Sequence, residues 1–75
     1  MMIDEATGIL EISLNGTSRQ VREGETLESL ISDMKLNPQL VAVEINRSLV
    51  RRGSFREREL MAGDHIEIVE FVGGG

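Results

Sequence analysis

Apolar and polar residues alternate through Ile9–Leu14, "ILEISL", which puts Leu10, Ile12 and Leu14 on one face with the two-residue period of a half-buried strand. Asn15 and Gly16 follow at once, and Asn-Gly after an alternating run is a strong hairpin signal. The pattern therefore predicts a return strand over residues 17–22. The period then changes. Leu27, Leu30, Ile31 and Met34 recur at i, i+3, i+4 and i+7, a single apolar helical stripe. Thr26 is available as N-cap and acids occupy the early turns, so the spacing predicts one helix over 26–35. Asn37 and Pro38 end it. In "LVAVEIN" Val41, Val43 and Ile45 alternate against Ala42 and Glu44, a third strand, and Leu49 with Val50 makes a short fourth. A turn over 62–64 leads into a final strand over 65–71, where Ile66 and Ile68 face one side and Glu67, Val69 and Phe71 the other.

A helix with one apolar stripe must bury it against one face of a sheet. The order β-β-α-β-β-β then predicts an α+β fold of the β-grasp kind: one mixed sheet of four to five strands packed on a single helix. Its first and last strands lie side by side and parallel, joined by a right-handed crossover that contains the helix. The expected core is the helix stripe packed on Leu10, Ile12, Leu14, Val43, Ile66 and Ile68, with the outer sheet face exposed. Residues 9–71 form the domain, 1–8 a disordered extension and 72–75 a flexible tail. A chain of 75 residues leaves room for a thin core and none for a deep substrate cavity.

Composition narrows the chemistry. A net charge of −5 and a pI near 4.7 argue against nucleic acid as a partner, and Phe55 and Phe71 are the only aromatics, too few for base stacking. With no cysteine the chain cannot build a disulfide, a thiolate nucleophile or a zinc-thiolate site. It has no apolar run of membrane-spanning length, and "MMIDEATG" lacks the basic start and apolar stretch of a signal peptide; both point to a cytoplasmic protein with no membrane partner. His65 is the only histidine, outside any catalytic spacing, and reads as a surface residue. Glu23, Glu25, Glu28 and Asp33 surround a helix start that favours negative charge, and read as a solvated face rather than a metal site. No phosphate-binding glycine motif is present, so no bound cofactor and no metal is expected. Arg47, Arg51, Arg52, Arg56 and Arg58 concentrate in an otherwise acidic chain, either as a solvated loop or as a docking face for an acidic partner.

The sequence closes on Gly73, Gly74 and Gly75. Lacking Cβ atoms, these residues fit a narrow channel, so that a partner's active site can close around the terminal carboxylate. From Val72 to Gly75 the chain reaches at most about 13–14 Å. Val69 and Phe71 form an exposed apolar pair at the root of this tail and, with Val72, are the expected docking residues.

The runs "LNG", "GETLESLI", "VAVEIN" and "GDHIEIVEFVGGG", in this order and in a chain of this length, resemble the thiamine-biosynthesis sulfur carrier family ThiS from about residue 9 to the end. The resemblance implies a ubiquitin-like β-grasp fold and maps the family's functional glycine pair onto Gly74 and Gly75. It implies that an E1-like, ThiF-type enzyme adenylates the Gly75 carboxylate with ATP and Mg²⁺. The terminus becomes a thiocarboxylate with sulfur from a donor system such as a cysteine desulfurase, and delivers it to a ThiG-type thiazole synthase. The chain would be a carrier and cosubstrate, not an enzyme, and a monomer when free. The small subunit of molybdopterin synthase and a ubiquitin-like protein modifier share the fold and the glycine pair and stand as alternatives, beside a plain interaction domain. The chain departs from the family pattern in its eight leading residues and in a third glycine, Gly73.

Overall fold

The computed structural model describes residues 7–72, so residues 1–6 of the expected extension and Gly73, Gly74 and Gly75 of the expected tail lie outside the described residues. Five strands and one helix follow in the expected order: β1 Ile9–Leu14, β2 Thr17–Arg22, α1 Leu27–Asp33, β3 Val41–Ile45, β4 Ser48–Val50 and β5 His65–Glu70. Single 3₁₀ turns at Pro38–Leu40 and Arg52–Ser54 interrupt the connections. The sheet order is β2-β1-β5-β3-β4, with β1 and β5 parallel and every other pair antiparallel. This is the mixed sheet on one helix that the hydrophobic pattern predicts. Among the described residues no helix is long and apolar enough to cross a membrane.

The turns explain the strand register. Asn15 (φ 51°) and Gly16 (φ 84°) both occupy the left-handed region, as a two-residue primed turn requires. Asn46 (φ 53°) and Arg47 (φ 71°) make the same kind of turn between β3 and β4 without a glycine. The helix is shorter than the predicted span. Thr26 stays outside it as the N-cap, its hydroxyl accepting from the Ser29 N–H at 3.2 Å. At the other end Lys35 turns left-handed (φ 60°), and the Leu36 N–H closes back on the Ile31 carbonyl at 3.2 Å. Thr7 and Gly8, read from sequence as part of the disordered extension, form a turn whose Gly8 carbonyl accepts from the Glu23 N–H at 2.7 Å. That bond joins the turn to the end of β2.

The core contains every expected residue except Met34, which packs half-buried at its margin. It also contains Val21 and, from the long connection between β4 and β5, Phe55 and Leu60. That connection closes the helix start with its main chain. Leu27 N–H donates to the Arg58 carbonyl at 2.8 Å and Glu28 N–H to the Phe55 carbonyl at 2.9 Å, while Leu60 N–H donates to the Glu25 carbonyl at 2.8 Å. Two of the N–H groups that a helix start leaves without intrahelical partners are thereby satisfied.

Asp64, which the sequence reading treats only as a turn residue, is 5% exposed. Its Oδ1 accepts from Asn46 Nδ2 at 3.0 Å, and its Oδ2 from the Met61 N–H at 2.9 Å and Arg58 Nη2 at 3.1 Å. Asn46 Oδ1 in turn accepts from the His65 N–H at 2.9 Å. The network therefore ties the β3–β4 turn to the start of β5. Asp64→Asn replaces one acceptor by a donor facing donors, and is expected to cost about 1–3 kcal/mol of stability. Urea unfolding measures it, and an unchanged midpoint would mean that the network is dispensable.

Candidate functional site

The alternation of β5 determines what its end presents. Ile66 and Ile68 are buried; Val69 is 59% exposed and Phe71 55%, and Val72 beyond the strand is 94% exposed. The expected apolar pair thus lies on the outer face, at the root of the tail. Ala42 on β3 is opposite Val69 in register, and Leu49, 72% exposed, is opposite the outward-facing Glu44. Ala42, Leu49 and Phe71 line a shallow cleft of about 190 Å³, with Arg51 and Arg52 at its border. Sequence reasoning missed Ala42 and Leu49. The available signal was the alternation in "SLV", which sets Leu49 against the inward Val50.

Two anchors hold this strand end. Phe71 N–H donates to the Leu40 carbonyl at 2.7 Å, and the Asn15 carboxamide bonds both main-chain groups of Ile68, accepting from its N–H at 2.8 Å and donating to its carbonyl at 3.3 Å. Hydrogen bonds across 53 residues of sequence thus hold the exposed apolar platform at the end of β5 in place.

The arginines divide by role. Arg52 donates from Nε to the Pro38 carbonyl at 2.8 Å and from Nη2 to the Val41 carbonyl at 3.2 Å, and Arg58 reaches both Asp64 and the Glu59 carbonyl. Those two bond within the fold, although Arg52 is exposed, as are Arg47, Arg51 and Arg56. His65 is exposed, lining an open concavity of about 440 Å³ with Ser13, Glu44, Arg47 and Glu67. Of the acids near the helix, Glu23, Glu28 and Asp33 are exposed and Glu25 is half-buried. Among the described residues no three His, Asp or Glu side chains converge as they would on a metal ion. Gly73, Gly74 and Gly75, the expected modified end, lie outside the described residues, so the structure places the platform and not the terminus.

A mixed five-strand sheet closed on one helix, with parallel first and last strands, defines a ubiquitin-like β-grasp domain. Residues 12–75 match the sequence model of the ThiS family, and the chain belongs to that family. It is 35% identical over 65 residues to the sulfur carrier protein ThiS of Bacillus subtilis, covering 85% of this chain and 98% of that one. The crystal structure of the thiamine biosynthesis protein ThiS from Geobacter metallireducens superposes with a TM-score of 0.74 at 29% identity, over 88% of this chain and all of that one. The chain is also 41% identical over 66 residues to a thiazole synthase of Magnetococcus marinus, covering 88% of this chain but only 20% of that protein. It thus spans about a fifth of the length of the thiazole synthases it matches.

Proposed function

We propose that this protein is a sulfur carrier of thiamine biosynthesis that bears its sulfur as a thiocarboxylate on Gly75. The observation that carries the reading is a family match that runs through to the last glycine, on a fold whose exposed apolar strand end leads into that glycine run. The Bacillus relative that it matches almost end to end is a sulfur carrier protein. A carboxylate is a poor electrophile. In the proposed cycle an E1-like, ThiF-type enzyme, using ATP and Mg²⁺, joins the Gly75 carboxylate to AMP and releases pyrophosphate. A persulfide, supplied through a cysteine desulfurase, then displaces AMP to give an acyl disulfide, and a thiol cleaves its S–S bond, becoming part of a disulfide itself and leaving C–S in place of one C–O. A ThiG-type thiazole synthase takes up that sulfur, and the similarity to part of two thiazole synthases supports this acceptor. The chain itself acts as cosubstrate in the cytoplasm and contributes no catalytic group.

Intact-mass spectrometry of the protein isolated from its host tests the proposal. A fraction heavier at the C-terminus by the difference between sulfur and oxygen is the expected result. Covalent protein adducts through Gly75 would identify a modifier instead, and a terminus never found modified counts against both. The platform has its own test in Phe71→Ala. Because the ring is about half exposed, stability should change by less than about 1 kcal/mol, the scale of surface substitutions. Binding to the adenylating enzyme should weaken by more than about 1 kcal/mol, as expected for an interface residue that matters. Calorimetry and thermal melting read the two effects, and a large stability loss with unchanged binding would assign Phe71 to the fold.

A further inference from the structure

The main chain of β5 turns its hydrogen-bonding groups alternately to its two neighbours. Asn46 N–H donates to the His65 carbonyl at 2.8 Å and Phe71 N–H to the Leu40 carbonyl at 2.7 Å, which sets His65, Glu67, Val69 and Phe71 toward β3. Asn15 N–H donates to the Ile66 carbonyl at 2.8 Å, and the Asn15 side chain bonds Ile68, which sets Ile66 and Ile68 toward β1. By the same alternation Glu70 turns its N–H and C=O groups to where β1 would continue, and Val72 is the next residue in that phase, two places on and past the end of the strand.

There β1 has already stopped. It ends at Leu14, and the left-handed pair Asn15 and Gly16 turns the chain back into β2. The Asn15 carboxamide substitutes for one further strand residue, and past it Glu70 N–H and C=O have no hydrogen-bond partner among the described residues. The backbone nevertheless stays tied to the sheet as far as Phe71 through Leu40. An exposed row of unpaired main-chain groups is a template for another extended chain.

The position of this edge suggests its occupant. The three residues that follow Val72 are glycines, which offer a partner only N–H, C=O and the final carboxylate. Strand addition recognises extended backbone through those same groups. We propose that the open edge of β5 at Glu70 and Val72 takes an extended segment of the adenylating enzyme as an added strand, and that this pairing fixes the register in which the glycine run enters the active site. The inference rests on the carrier reading. Self-pairing between two copies is the weaker use of the edge, because it would bring two acidic chains together with their Glu70 side chains in one short ladder. An enzyme that also covers Val69 and Phe71 gains apolar contact beside the same ladder.

Because Glu70 N–H lies outside the β3–β5 ladder, it can be removed without breaking the sheet. The test compares the wild-type chain with Glu70→Pro, Glu70→Ala and a chemically synthesised full-length chain N-methylated at Glu70, in binding to the ThiF-type enzyme of the same genome. Loss of one main-chain hydrogen bond predicts about tenfold weaker binding for the Pro and N-methyl chains, with Glu70→Ala within about twofold of wild type. The N-methyl chain keeps every side chain, so its melting temperature should match wild type even if Glu70→Pro perturbs the strand. Wild-type affinity in the N-methyl chain, or equal loss in Glu70→Ala, overturns the inference. So does a concentration-dependent dimer that N-methylation abolishes, because the edge would then serve a second copy. Pyrophosphate release by the wild-type chain is scored separately: its absence sinks the carrier reading, whereas release with unchanged N-methyl binding sinks only the strand addition.

Discussion

Leu30→Ala is expected to lower the free energy of unfolding by about 2–5 kcal/mol, the range for truncating a buried leucine. Leu30 is 0% exposed and sits between Leu27 and Ile31 on the face that α1 lays on the sheet. The helix spans only seven residues, and isolated helices shorter than about 12–15 residues are marginal in water. Packing therefore holds α1, and the same contacts hold the sheet closed over it. Domains as a class have only about 5–15 kcal/mol of stability, so the substitution removes a large part of it. Urea unfolding followed by far-UV circular dichroism gives the value. A midpoint equal to the parent's would mean that the helix stripe is not the centre of the core.

What was legible in the sequence follows the local period of side-chain burial. β1, β3 and β5 alternate and α1 has its stripe, so their identity and packing faces could be read directly, along with the parallel neighbours β1 and β5. The connection between β4 and β5 has no period, and so concealed Phe55, Leu60 and Asp64. These residues are held by main-chain bonds to the helix start and by the network that joins Asp64 to Asn46, partners that lie well apart in sequence. The Asn46–Arg47 turn lacks glycine and carried no signal of its left-handed backbone. At the candidate site, Val69 and Phe71 were readable because outward positions in a strand follow from inward ones. The outward placement of Ala42 and Leu49 was open to the same reasoning, but their meeting with Phe71 in one cleft was not, since it depends on register across three strands. Asn15 shows the same limit: its hairpin role is local and was legible, while its hold on Ile68 spans 53 residues.

The largest functional effect is expected at the terminus. Deleting Gly75, or appending one residue after it, should leave thermal melting unchanged and lower ATP-dependent adenylation by at least about a hundredfold, the loss that follows a displacement of about 1 Å in a reacting geometry. One residue moves the carboxylate by about 3.5 Å, well beyond that tolerance. The deletion is a sharp test because the shortened chain still ends in glycine, Gly74, so its carboxylate has the same chemistry and only its reach differs. The appended residue errs in the opposite direction, and failure of both variants separates placement from any simple need for length. Gly74→Ala is the milder change, adding one methyl group where bare backbone is expected to fit, and should retain part of the rate. Pyrophosphate release with the ThiF-type enzyme measures all three. If strand addition at β5 sets the register, the deletion variant should also bind that enzyme nearly as well as wild type, because the edge at Glu70 is intact while the terminus falls short. Wild-type turnover by the chain lacking Gly75 would refute the carrier reading and leave the glycine run as an end without a chemical role.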